Sequence, residues 1–216
     1  MNNLLRIPLN TTAAQFERLL SLQKVFSQVC NQLAPEVSRS RVWNRVALHH
    51  LHYRTLREQY PTLGSQMVCN AIYAVSRTAR LVYQSPASPF NVQKMGDRPL
   101  PALRFAETCP VYFDRHTLSI KGTQLSLFTL DGRMHFELTL PEEQLQLFKV
   151  AKLREISLTR RVDNLFELSF WLDTTVQPQI VVSQATALNQ LAGQSAEVPA
   201  VSMPLIPDYV SVEVAL

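Results

Sequence analysis

Beyond Arg161 the chain has no lysine or arginine, and beyond Thr175 its only charged residues are Glu197, Asp208 and Glu213. All 21 basic residues therefore face 14 acidic ones before residue 176, an excess of seven. Such a basic body suits a polyanionic partner, although an excess of this size is also common on ordinary soluble proteins. Glycine is scarce, and there is no glycine-rich phosphate loop, no nucleophile elbow and no pair of cysteine ligand couples. The enzyme classes built on those devices have no signal here, and no cofactor is expected. The three cysteines, Cys30, Cys69 and Cys109, are odd in number and far apart, which fits reduced structural thiols. No apolar run approaches the roughly 20 residues of a membrane span. Residues 1–10 lack the apolar core of a signal peptide. The expectation is a cytoplasmic protein with no membrane partner.

With 46% hydrophobic and 18% charged residues over a length of 216, the composition is that of a globular chain of one or two domains. Residues 111–140 carry its clearest pattern. Leu118/Ile120, Leu125/Leu127 and Phe136/Leu138/Leu140 alternate with polar neighbours at the strand period of two. Lys121-Gly122 and Asp131-Gly132 supply turn residues that tolerate positive φ, so three strands in a meander are predicted. A second hairpin is predicted over 153–162 and 165–172 around Asp163-Asn164. Between the two, Pro141 to Val150 reads as one short helix. Four or five antiparallel strands are then available for a small sandwich or barrel.

Ahead of the strands, Leu4 to Leu9 reads as a lone strand, with Pro8 confining it to an edge or a strand end. Apolar residues from Phe16 to Leu33 recur at three and four, a helix over 13–33 that Pro35 ends. Ser38 or Ser40 can cap a second helix with Val42, Val46, Leu48, Leu51 and Leu56 as its buried stripe and Tyr60-Pro61 closing it. A third helix spans 66–83, with Val68, Ile72, Val75, Ala79 and Val82 inward and Arg77 and Arg80 outside. Residues 84–110 are punctuated by proline and read as a long irregular crossing. The tail after Thr175 is predicted to be weakly ordered, with Tyr209 to Ala215 as a strand docked elsewhere.

Arg41, Arg45, Arg54, Arg57, Arg77 and Arg80 accompany Trp43, Tyr53, Tyr60 and Tyr73 on two adjacent predicted helices. Arginine pairs with phosphate and aromatic rings stack on bases, so these residues suit a nucleic-acid surface. They equally suit a solvated arginine face over core aromatics. A second basic cluster, Lys149, Lys152, Arg154, Arg160 and Arg161, lies at the edge of the last hairpin. His49, His50 and His52 have no carboxylate beside them, and only His49 and His52 share a helix face. A basic or half-buried face is favoured over a zinc site, and no metal is expected. Asp114 and His116, near Cys109, read as a solvent-facing pair on one strand rather than as a catalytic group.

The order of the pieces tips the balance. The run Leu56 to Gln66 (LREQYPTLGSQ) leads into a helix with Asn70-Ala71-Ile72 and Val75, then a proline-rich crossing, then the meander with Leu118 to Gly122 and Leu130 to Arg133. This order, spanning about Leu4 to Asp173, resembles the N-terminal half of the TnpB (OrfB) family of transposon-encoded, RNA-guided DNA nucleases, relatives of the type V CRISPR effectors. The resemblance implies an α+β fold: a small antiparallel β-barrel of the oligonucleotide-binding type, the wedge domain, with a helical bundle inserted after its first strand. The expected layout is residues 1–10 as the first barrel strand, 11–85 as the helical recognition domain, 86–175 as the barrel and 176–216 as a low-charge tail.

By the same resemblance, Ser65, Gln66, Asn70 and Tyr73 match the region that contacts the short DNA motif beside the target, and the barrel with its basic edge matches the part that grips guide RNA. Structured guide-like RNA and duplex DNA are the implied partners. The departure is equally informative. The family continues into a ribonuclease-H-like domain that opens on a glycine-flanked aspartate, and this chain has no counterpart. Asp173 lacks the glycine setting, Asp208 precedes a tyrosine, and two carboxylates to share Mg²⁺ cannot be assembled from so sparse a tail. The expectation is a nucleic-acid-binding module without its own nuclease activity. The alternative is a subunit or fragment of a split nuclease, or a structural or regulatory module, paired with a nuclease-domain protein or a full-length relative.

Overall fold

The computed structural model describes residues 2–173 and 206–213, as a mixed α+β chain of nine antiparallel strands and five α-helices. The first strand, β1 (Asn2–Pro8), ends on its proline at a sheet edge, where a missing N–H costs no ladder bond. Its partner is not the next strand but β8 (Phe166–Asp173), in antiparallel register from Asn2 opposite Asp173 to Pro8 opposite Glu167. Leu9 prolongs the ladder, its N–H donating to the Phe166 carbonyl at 2.8 Å.

Between those strands lie three long helices. The first, α1 (Ala13–Ser40), begins at a capping box in which the Thr12 hydroxyl accepts from the Gln15 N–H and the Gln15 side chain accepts from the Thr12 N–H. Leu19, Leu22, Phe26, Val29, Cys30 and Leu33 bury its apolar face. The predicted stop at Pro35 is not observed. The helix runs on to Ser40, about two turns past Leu33, because Ala34 and Val37 are also fully buried, and it ends only where Arg41 turns left-handed at φ 56°. Ser38 and Ser40 accordingly bond back to carbonyls of α1, and Asn44 is the cap of α2 (Arg45–Gln59), accepting from the Val46 and Ala47 N–H groups. The predicted stripe of α2 is corrected in the same way. Leu48 and Leu56 are buried, whereas Val46 and Leu51 are 63% and 61% exposed and Val42 precedes the helix.

Helix α3 (Ser65–Ala79) buries the predicted Val68, Ile72, Val75 and Ala79 and then widens into a π-helical turn, Arg80–Gln84, that buries Val82 and Tyr83. The crossing that follows is less irregular than its prolines imply. It contains a single helical turn, α4 (Val92–Met95), and a strand, β2 (Ala102–Phe105). The strand β9 (Val210–Glu213) pairs with β2, at the place where the sequence predicts a docked strand; residues 174–205 and 214–216, which hold the rest of the predicted tail, lie outside the described residues.

The meander is present as β4 (Leu118–Lys121), β5 (Gln124–Thr129) and β6 (Gly132–Glu137), with Gly122 and Gly132 at φ 59° and 96° in its turns. The start of the 111–140 stretch lies outside this meander: β3 (Val111–Phe113) pairs with β7 (Lys152–Arg160) in a sheet of order β1-β8-β7-β3. The short helix α5 (Glu142–Val150) joins meander to hairpin, and Asn164 takes the left-handed conformation in the β7–β8 turn. The strands form three sheets, of four, two and three strands, and none of them closes on itself.

Phe26 is completely buried in α1, so Phe26→Ala is expected to cost about 3–5 kcal/mol. Val46→Ala and Leu51→Ala should stay within about 0.5 kcal/mol. Urea titration followed by circular dichroism checks both.

Candidate nucleic-acid interface

The predicted basic residues fall into two classes, those that face solvent and those tied into the fold by ion pairs or hydrogen bonds. Arg54 is at the surface, paired with Glu58 one turn on at 3.2 Å, and Arg80 is exposed at the end of α3. Ser65 is exposed at the first position of α3, and Lys152 is exposed at the start of β7. Arg160 is half-buried, lining a shallow cavity of about 400 Å³ with the exposed Arg161 and the half-buried Tyr209. Arg161 is shared between Asp163 at 2.9 Å and Glu167 at 3.6 Å. Lys149 lies on α5.

Other predicted contacts are structural. Asn70 is buried, its amide donating to the Thr117 hydroxyl at 3.4 Å, and so it is removed from any surface. Gln66 donates to Asp114 Oδ2 at 2.5 Å, tying α3 to the turn after β3. Arg57 is half-buried and donates to the Leu63 carbonyl, which holds the α2–α3 connection. Arg77, predicted to point outward, is instead 25% exposed and pairs with Glu155 at 3.1 Å. The aromatic residues follow the same trend: Trp43, Tyr53, Tyr60 and Tyr73 are all partly buried against the core.

Tyr73, Arg77 and Glu155 form the centre of one arrangement that joins helix to sheet. The Tyr73 hydroxyl donates to Glu155 Oε2 at 2.5 Å, the same oxygen that faces Arg77 Nε. Tyr112 of β3 meets Tyr73 edge to face at 5.5 Å, and its hydroxyl lies 3.5 Å from that of Tyr209. Burial, then the hydrogen bond and negative charge of Glu155, push the Tyr73 phenol up to about 12. Burial raises Tyr112 further and raises Tyr209 as well. Burial alone would lower Arg77, but the oxygens of Tyr112 and Glu155 outweigh it and the guanidinium stays charged.

Beside this group the β7–β8 ladder slips by one residue. Leu153 pairs with Leu172 and Glu155 with Trp171, leaving Arg154 in a bulge. From there Arg154 reaches Asp173, with Nη2 at 2.5 Å and Nε at 3.1 Å. Tyr73, Arg77, Arg154, Glu155, Trp171, Leu172 and Asp173 thus line one cavity of about 460 Å³. Three predicted residues from two distant clusters meet here, and Glu155, Trp171 and Asp173 are additions. Their only sequence signal is alternation along the hairpin, which the bulge breaks. A second cavity, of about 430 Å³, brings Arg41, Trp43 and Arg80 together with Asn44 and Gln84.

The remaining candidates are reassigned. Asp114 and His116 lie in a turn rather than on a strand. Asp114 Oδ1 accepts from the His116 and Thr117 N–H groups at 3.0 Å each. Cys109 is buried. His49 stacks on Tyr53 at 4.6 Å, and no group of three or more His, Cys, Asp or Glu among the described residues is placed to hold a metal ion. No described helix is long and apolar enough to cross a membrane. No protein-family model matches the chain, and no curated protein matches it.

The raised phenol sets a pH dependence. Below pH 10 Tyr73 is protonated whether the chain is folded or not; between pH 10 and about 12 the unfolded state ionises first, so stability falls as pH rises. Tyr73→Phe should be less stable at pH 8, through loss of the Glu155 bond, yet lose less between pH 9.5 and 11.5 than the parent, as read by thermal melts across that range.

Proposed function

We propose that the chain is a nucleic-acid-binding module built like the recognition half of a TnpB-type protein, taking structured guide-like RNA as its first partner and duplex DNA as its second. The observation that carries this reading is the pairing of β1 with β8 across the three helices between them. A strand that precedes a helical insertion and is completed by strands that follow it is the plan the resemblance implies. In this reading α1–α3 are the recognition domain, and the sheets are the parts of a wedge-type oligonucleotide-binding barrel.

The exposed cations Arg54, Arg80 and Lys152, with Arg160, supply phosphate contacts, while Arg57, bonded to the Leu63 carbonyl, and Arg77, paired with Glu155, hold the helices in place. No hydrolytic step is assigned to the module. Asp173 is engaged by Arg154, Glu155 by Arg77 and Tyr73, and Asp114 by its own turn.

Filter binding with RNA transcribed from the DNA flanking the coding sequence tests the proposal. Retention is expected at about 50 mM salt, falling by roughly 10³-fold by 200 mM as counterions are released. Replacing Arg54, Arg80, Lys152 and Arg160 together by Ala should weaken binding and flatten the salt dependence without changing the melt. Absence of retention by the parent overturns the function, and parent-like binding by the fourfold variant moves the surface. Arg77→Ala should behave differently, costing about 1–3 kcal/mol of stability because it strips a partly buried carboxylate of its partner.

A further inference from the structure

The 460 Å³ cavity between α3 and the β7–β8 hairpin has a chemistry that phosphate binding does not use. Its two arginines are matched by two carboxylates, Arg77 by Glu155 and Arg154 by Asp173, so its formal charge is zero. An electroneutral site gains little from a polyanion. It offers instead donors and acceptors side by side, with the half-buried Trp171 as an aromatic surface. That combination suits a neutral planar heterocycle that carries both kinds of group on its edge.

The bonds already made leave defined capacity. Tyr73 and Arg77 both use Oε2 of Glu155, so Oε1 takes no hydrogen bond from the described residues. Arg77 engages Glu155 through Nε, and Arg154 engages Asp173 through Nε and Nη2. A guanidinium has five N–H donors, so each arginine keeps others to offer. The volume lies within the ~300–1,000 Å³ of small-ligand sites.

We infer that this cavity holds one unstacked guanine base, a reading that rests on the proposed nucleic-acid function and names what that function recognises here. Guanine alone among the common bases sets two adjacent donors, N1–H and N2–H, beside two acceptors, O6 and N7. Glu155 accepts from the donor edge, the spare arginine N–H groups donate to O6 and N7, and Trp171 stacks on the ring. Extrusion of a base into such a site is the ordinary way for a protein to read one nucleotide outside a helix.

The full chain carrying Trp43→Phe, which leaves Trp171 as its sole tryptophan, tests the assignment by fluorescence titration with guanosine, inosine, adenosine and inorganic phosphate. Guanosine should quench Trp171 saturably. Inosine, which lacks the 2-amino group, should bind about tenfold more weakly, equivalent to ~1.4 kcal/mol. Phosphate should not compete. Glu155→Gln should shrink the guanosine-over-inosine preference to less than about twofold, and Trp171→Leu, followed by equilibrium dialysis, should lose guanosine while keeping a cooperative melt. Equal responses to guanosine and inosine, or no saturable response to guanosine, overturn the inference. RNA retention measured on the same preparation separates the two claims. Retention without guanine discrimination removes this inference alone, and guanosine binding without RNA retention supports the cavity while overturning the wider function.

Discussion

One long amphipathic helix, α1, fixes where everything else sits. Along its length α1 spends polar side chains on groups of segments far away in sequence, most of them backbone. Gln15 donates to the His135 carbonyl of β6, Arg18 to the Thr129 hydroxyl of β5, and Gln23 to the Cys109 carbonyl ahead of β3. Asn31 does most, donating to the Phe105 carbonyl at 2.9 Å and accepting from the Phe105 N–H at 2.7 Å. A hydrophobic face alone would let three separate sheets slide over the helix. Hydrogen bonds with defined direction fix their register against it, most strictly at the buried Gln23, where losing the partner costs more than the bond itself is worth.

The local patterns in the sequence were legible where the spacing of apolar residues matched the face that is buried. The meander, the β7–β8 hairpin and the apolar face of α3 belong to this class. Misreadings arose where tertiary packing overrode a local signal. Pro35 stays inside α1 because the buried Ala34 and Val37 favour another turn. Val46 and Leu51 look like core by spacing, yet the face that α2 turns inward carries Leu48 and Leu56. Val111 heads the stretch that holds the meander, yet it pairs with Leu158 in a different sheet. Pairing between distant strands leaves no mark on periodicity.

The candidate site was legible by residue type and not by role. Composition identifies arginines, but an arginine bound to phosphate and one that neutralises a neighbouring carboxylate read alike in a sequence. Arg77 and Arg154 belong to the second kind because Glu155 and Asp173, from strands beyond the crossing, fold against them. The bulge at Arg154 is likewise invisible to a period-of-two reading, and it is what brings that side chain to the same cavity as Glu155.

The β1–β8 pairing has a consequence for how the chain is made. The two strands are separated by about 160 residues, so β1 leaves the ribosome with its hydrogen-bonding edge unmatched. At about 5–20 residues per second, synthesis of that stretch takes on the order of ten seconds. During that interval the helices can pack, but the four-stranded sheet cannot be completed, and high contact order makes its closing step slow. Through that interval β1 is open to mispairing, and Pro8, which offers no N–H to a stray strand, blunts that edge.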